Sequence, residues 1–221
     1  MKKWIFSTLL MLSTALNTVS IEAMIAHPHD HAPGVFKAQD AQFLNPDTVP
    51  DRQLEVRAMQ IDGFSGASLE KLEHAFGVLE AVVNTEEFKT RVINFKNSKG
   101  ERAFASNTGM SNEEIYEFFM DGEETLQPNT TGEINFFLKL YNRPFSRVIG
   151  WTNGDINTIH INWKFFKNFK PQDVAGNLAH EWIHKLGFGH KSAKEHDSVP
   201  YAIGYIVREM GERYLKGEEL R

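Results

Sequence analysis

Apolar residues recur along this chain with two different periods, and these periods predict where helices and strands lie. Helical spacing from Ser68 to Asn84 predicts a helix, and a strand is predicted before it from Arg57 to Ile61. A second helix is predicted from Ser111, whose Ser-x-x-Glu pattern with Glu114 has the form of a capping box. The first half of the chain therefore predicts one strand followed by helices.

The second half of the chain begins with alternating apolar and polar residues, which predict strands. The turn signals Asn142-Arg143-Pro144 and Asn153-Gly154-Asp155 divide these strands from one another. Helices are then predicted from Pro171 and over Tyr201–Tyr214. The predicted strands are Ile134–Tyr141, Arg147–Thr152 and Thr158–Trp163. This order predicts an α+β fold in which helices pack against a mixed, twisted sheet.

The N-terminus has the pattern of a secretory signal peptide, because Lys2 and Lys3 precede a short apolar run. Cleavage after Ala23 and cleavage after Ala26 both fit, and an uncleaved anchor is the alternative interpretation. We therefore expect a signal peptide at 1–26, a flexible N-terminal segment at 27–50 and one catalytic domain at 51–221. The expected location is secreted or periplasmic, and the leading lysines and the lack of cysteine are typical of a bacterial protein.

Three histidines alternate in the predicted flexible segment, at His27, His29 and His31. Tracts of this kind can capture a metal ion. A polar, proline-containing segment without a rigid element does not fix the geometry of such ligands, so incidental histidines are the simpler interpretation. Removal of this region as a pro-segment is a further alternative.

Composition limits what the protein can bind. The 221 residues include no cysteine and carry a formal net charge of −5, with both signs mixed. The chain therefore forms no disulfide, and it lacks the clustered basic face expected of a nucleic-acid-binding protein. Beyond the N-terminal apolar run, the sequence predicts no membrane span. We expect a monomer that is stabilised by its hydrophobic core.

Residues 180–190 read His-Glu-Trp-Ile-His-Lys-Leu-Gly-Phe-Gly-His, which fills every fixed position of the pattern H-E-x-x-H-x-x-G-x-x-H. A spacing of four residues places His180 and His184 on one face of a helix, where both imidazoles can reach one metal ion. Gly187 can adopt the positive φ that ends a helix, so the chain can return His190 to the same ion. The pattern predicts a zinc site with Glu181 beside it as general base.

This eleven-residue pattern resembles the zinc site of the metzincin metallopeptidases. The resemblance implies that His180, His184 and His190 bind one catalytic zinc ion and that Glu181 is the general base. It also implies a zincin-like fold, in which the zinc-site helix is followed by a small C-terminal subdomain at residues 191–221. The implied activity is that of a zinc metalloendopeptidase, whose partner is an extended peptide or protein substrate.

One part of the metzincin pattern is missing from this chain. That family carries a methionine in a tight turn below the zinc, whereas Pro200 stands at the corresponding position here. We expect the turn at Ser198–Tyr201, because proline fixes φ and because Met210 falls within a predicted helix. The resemblance further implies a tyrosine that stabilises the oxyanion of the tetrahedral intermediate, and Tyr201 and Tyr205 are the candidates. The chain is thus expected to be a divergent member of the family.

The resemblance also implies how a substrate binds. Metzincin clefts hold an extended peptide along the edge strand that precedes the zinc helix, and in this chain that strand would be about Ile156–Asn162. Free backbone groups at such an edge bind the main chain of a peptide rather than particular side chains. His160 and His196 lie near the motif in sequence, and both are expected to be structural or exposed.

Three alternatives stay open at the level of sequence. A zinc ion could take its third ligand from a later helix, where Glu209 and Glu212 are available. The same site could belong to a cell-wall amidase that acts on peptide crosslinks, since it would use the same residues. The protein could also be a non-catalytic secreted zinc-binding module, although Glu181 would then have no use in a structural zinc site.

Overall fold

The computed structural model describes residues 53–122, 124, 126, 132–152 and 155–221. Its four strands are β1 (Glu55–Asp62), β2 (Glu133–Tyr141), β3 (Gly150–Trp151) and β4 (Thr158–Asn162). Its helices are α1 (Ala67–Val83), α2 (Glu86–Ile93), α3 (Asn112–Asp121), α4 (Trp163–Phe166), α5 (Pro171–Lys185) and α6 (Val199–Leu215). The predicted α+β class is confirmed. The predicted signal peptide, the segment at 27–50 with its three histidines, and residues 153–154 of the predicted turn lie outside the described residues.

The four strands form one mixed sheet in the order β1-β2-β4-β3. Strand β2 is parallel to both β1 and β4, whereas β3 is antiparallel to β4. The prediction of an edge strand at Ile156–Asn162 is wrong, because β4 is paired on both sides. The edge position belongs to β3, which pairs Gly150 with Ile161 and Trp151 with His160.

The predicted strand Arg147–Thr152 is shorter in the structure, because the side chain of Asn162 forms hydrogen bonds with the backbone before and within the first part of the predicted strand. Asn162 is fully buried at the end of β4, and its amide nitrogen donates to the carbonyls of Arg143 at 3.2 Å and Val148 at 3.1 Å. Its amide oxygen accepts from the N–H of Arg143 at 3.2 Å. Residues 142–149 are therefore held as a loop, and Phe145 stands 98% exposed on it.

Local signals place the starts of two helices as predicted. The capping box of α3 is present, since the Ser111 hydroxyl accepts from the N–H of Glu114 at 3.2 Å and the Glu114 carboxylate accepts from the N–H of Ser111 at 2.7 Å. Helix α5 begins at Pro171, whose missing N–H is not needed in a first helical turn. None of the six helices in the described part of the chain has the length and apolar character needed to cross a bilayer.

Helices α5 and α6 pack against each other in one hydrophobic core. The buried side of α5 carries Leu178, Ala179, Trp182 and Ile183, and the buried side of α6 carries Val199, Ile203, Val207 and Met210. The predicted C-terminal subdomain is therefore not separate from the rest of the described chain, because α6 shares its core with α5 and the sheet.

The two helices approach closely at glycines, and they run antiparallel. A Cβ atom added to Gly204 would lie 2.8 Å from the carbonyl oxygen of Gly176 and 3.2 Å from the Cβ of His180. A Cβ added to Gly211 would lie 3.2 Å from the Cβ of Gln172, near the start of α5. The first turns of α6 thus lie beside the part of α5 that carries the histidines.

Candidate metal centre

The structure brings the three predicted ligands together. His180 and His184 lie one turn apart on α5, and His190 returns from the loop that follows it. Gly187 in that loop has φ 93°, which a residue with a side chain rarely adopts. One ligand nitrogen from each histidine lies within 4.8 Å of the other two, so the three side chains can hold one metal ion.

Hydrogen bonds that the rings donate to backbone carbonyls orient two of the histidines. The Nδ1 of His184 lies 2.8 Å from the carbonyl oxygen of Phe188, and its Nε2 lies 3.2 Å from the Nε2 of His180. The ring of His180 also bonds to the backbone of Pro200. Because proline has no N–H, the histidine donates and the carbonyl accepts. Such outer bonds fix the tautomer and present the other nitrogen to a metal.

Burial keeps His180 and His184 neutral, which metal binding requires. It lowers the pKa of His180 to about 3, and the neighbouring His184 and His190 lower it further. Burial also lowers the pKa of His184, against the opposing effect of its bond to Phe188. A proton therefore competes poorly for these nitrogens at neutral pH.

Glu181 lies on the same helix but outside the group of three histidines. Its side chain is only 3% exposed, and this burial raises its pKa to about 8 against the opposing effect of a hydrogen bond from Asn177. Among the described residues, its buried Oε2 has no hydrogen-bond partner. A buried carboxylate oxygen without a partner is costly, so a ligand or a water that donates to it would be favoured.

Tyr201 lies against two of the three candidate ligands, although the segment that carries it differs from the prediction. Its ring centroid is 4.6 Å from that of His180 and 4.7 Å from that of His190. The predicted turn at Ser198–Tyr201 is wrong, because α6 begins at Val199 and Pro200 lies in its first turn. The fixed φ of proline suits a first helical turn as well as it suits a loop.

Tyr205 lies one turn farther along α6 and is 40% exposed. Its ring stacks on Tyr201 at 6.0 Å, and its hydroxyl lies 3.1 Å from the Nδ1 of His196. The structure therefore separates the two tyrosine candidates, since only Tyr201 adjoins the metal centre directly. Met210 is buried still farther along the same helix, so it does not form the floor of the centre.

Two other predicted histidines lie outside the centre. His160 stacks on Trp151 across strands β4 and β3, with ring centroids 4.1 Å apart, which agrees with a structural role. His196 is exposed and contacts the two tyrosines of α6. Neither belongs to the group that can hold a metal.

The alternative third ligands on α6 are engaged elsewhere. Glu209 pairs with Arg91 at 2.8 Å, and Glu212 pairs with Lys216 at 3.0 Å. In the described part of the chain, the metal-binding group contains His190 and neither glutamate. The downstream-glutamate alternative is therefore not supported.

Two residues next to Glu181 were not predicted from the sequence as part of the site. Asn177 precedes Glu181 by four residues, so helical spacing already places it on the same face of α5. Gly150 lies next to Glu181 because β3 pairs with β4, and no local sequence pattern predicts this contact.

No protein-family model matches the chain, and no curated protein matches its sequence.

Proposed function

We propose that the protein is an exported, monomeric zinc metalloendopeptidase that resembles the metzincins. One observation carries the proposal: ligand nitrogens of three histidines converge within 4.8 Å beside a buried carboxylate that has one unpartnered oxygen. Three imidazoles leave a fourth position open on zinc, which distinguishes a catalytic from a structural zinc site. A purely structural site would not need a general base beside it.

The chain's own groups would then perform the proton transfers. When bound, zinc supplies Lewis acidity, which polarises a carbonyl group and acidifies a water molecule. Glu181 accepts the proton of the attacking water at its free Oε2. The resulting carboxylic acid then passes this proton on to the leaving nitrogen of the peptide bond, which regenerates the carboxylate. The phenol of Tyr201 donates a hydrogen bond to the oxygen on which negative charge develops.

The edge strand β3 is the proposed binding site for the substrate main chain. It is the last strand of the sheet, and its residue Gly150 adjoins Glu181. An extended peptide that adds to this edge would bring a backbone carbonyl to the centre without selecting particular side chains. The proposed substrate class is therefore an extended segment of peptide or protein.

The test combines metal content with hydrolysis of an unstructured protein such as casein. We expect about one zinc per chain and activity that a chelator abolishes and zinc restores. Glu181→Ala should keep the zinc and lower hydrolysis by about 100-fold or more, because it removes the base and no ligand. His184→Ala should lose the zinc. Unchanged turnover in Glu181→Ala would refute the proposed base.

The same assay separates the two rival functions. Cleavage of peptidoglycan peptides without cleavage of casein would indicate the cell-wall amidase. Stoichiometric zinc with no hydrolysis of either substrate would indicate the non-catalytic zinc-binding module.

A further inference from the structure

We propose that Gly150 and Asn177 are positioning residues, which hold the carboxylate of Glu181 between strand β3 and helix α5. This inference rests on the proposed function and adds two residues outside the H-E-x-x-H-x-x-G-x-x-H motif. We name the pair the carboxylate clamp.

The strand side of the clamp is a contact that only glycine permits. Gly150 pairs with Ile161, which points into the core, so the same side of Gly150 faces α5. A Cβ atom added to Gly150 would lie 2.8 Å from the Oε1 of Glu181 and 3.3 Å from its Cδ. The φ of Gly150 lies outside the left-handed region, so the requirement is for space rather than for backbone freedom.

The helix side of the clamp is a hydrogen bond within α5. The side chain of Asn177 lies one turn before Glu181 and donates to its carboxylate. Its Oδ1 would lie 3.1 Å from a Cβ atom on Gly150, so the amide fills the space beside the carboxylate. Strand and amide together hold the carboxyl group while Oε2 stays without a partner.

Confinement of this kind matters for a general base. A glutamate side chain has several rotatable bonds, and proton transfer needs its oxygen within hydrogen-bond distance of the attacking water. A side chain at position 150 would push the carboxylate away from its present place. Loss of the Asn177 amide would let the carboxylate rotate. Either change should lower the fraction of molecules that are ready to react.

The experiment compares Gly150→Ala with the matched control Gly189→Ala. Gly189 also has a φ outside the left-handed region, and nothing lies within 4 Å of an added Cβ atom there. We expect Gly150→Ala to keep its zinc and to lower kcat by roughly 10–100-fold. Asn177→Leu, which is similar in size but donates no hydrogen bond, should also lower kcat while keeping the zinc. Gly189→Ala should behave as the wild type.

A stability measurement tests the contact without reference to hydrolysis. Gly150→Ala should lower the melting temperature of the zinc-free protein by roughly 2–8 °C, because it overpacks a buried site. In a Glu181→Ala background the carboxylate is gone, so the same substitution should have little effect. This dependence on Glu181 would not arise if Gly150 served only to form the strand.

The outcomes separate the clamp from the proposed function. Equal melting shifts in the two backgrounds, or an unaltered kcat in Gly150→Ala, would overturn the clamp and leave the peptidase proposal standing. If the wild type hydrolyses nothing, the peptidase proposal fails, and the melting comparison still decides whether Gly150 confines the carboxylate.

Discussion

Burial sets the protonation of the two most deeply placed ionisable side chains of the centre, and it does so in opposite directions. It raises the pKa of Glu181 from 4.5 to about 8 and lowers the pKa of His180 from 6.5 to about 3. Because the pKa of Glu181 is higher in the folded than in the unfolded state, its contribution to the free energy of unfolding is fully present below pH 4.5. That contribution is lost as the pH rises through 8. For His180, the contribution is complete above pH 6.5 and is lost as the pH falls towards 3.

Between pH 6.5 and pH 8, Glu181 therefore titrates in the folded state while His180 stays neutral. We predict that the zinc-free wild type loses about 1–2 kcal/mol of unfolding free energy across this interval relative to Glu181→Gln. Urea titrations of chelator-treated protein at the two pH values would measure the difference. Parallel behaviour of the two proteins would mean that Glu181 is already ionised when folded.

The two tyrosines of α6 should differ in their contribution to turnover. Tyr201→Phe removes a hydroxyl from the ring that lies against His180 and His190, so it should lower kcat by about 100-fold if that hydroxyl stabilises the oxyanion. Tyr205→Phe removes the bond to His196 and should leave kcat unchanged. Zinc content should be equal in both variants. Equal losses of activity would contradict the assignment of this role to Tyr201.

At the scale of elements, the close spacing of α5 and α6 brings the backbone of α6 into contact with His180. Gly204→Ala and Gly211→Ala should each cost about 1–3 kcal/mol of stability, because both added methyl groups meet packed atoms. Only Gly204→Ala should also weaken zinc binding, since its methyl group would press on the Cβ of His180. Urea unfolding and competition with a chelator measure the two effects separately. Equal zinc affinity in the two variants would show that the centre tolerates a wider helix spacing.

The sequence predicted correctly those helix starts that depend on residues close together in the chain. The capping pattern of Ser111 with Glu114 and the proline at 171 marked helix starts that the structure confirms. The motif likewise identified the three histidines, because helical spacing and one glycine suffice to bring them together. The edge position of β3 could not be predicted, since it depends on pairing with β4 and on hydrogen bonds from the distant Asn162. Pro200 was ambiguous, because a turn and a first helical turn accept the same φ.

Across the whole molecule, a buried ion pair connects helix α5 to segments that are distant in sequence. The ammonium of Lys185 lies 2.9 Å from the carboxylate of Glu124 and donates to the carbonyl of Ile156 at 2.8 Å. Both charged side chains are almost completely buried, at 2% and 1% exposure. The end of α5 is thereby attached to Glu124, which follows α3, and to Ile156, which precedes β4.

Removing one charge of this pair should be far more damaging than removing both. We predict that Lys185→Met costs about 3–5 kcal/mol of unfolding free energy, because Glu124 is left buried without its cation. The double variant Lys185→Met with Glu124→Leu should recover much of that loss. Urea unfolding of the three zinc-free proteins would measure it. A double variant no more stable than Lys185→Met would show that Lys185 acts mainly through its other contacts.

Helix α5 carries the core on one face and the histidines on another, and this division has an evolutionary consequence. Trp182 and Ile183 are buried with the sheet and helices, whereas His180 and His184 are only partly buried. Selection for a folded protein and selection for the proposed metal site would therefore act on different positions of the same fifteen-residue helix. A descendant that had lost its histidines would still need the core residues to fold. Its relationship to this chain would then be recognisable from the apolar positions of the helix alone.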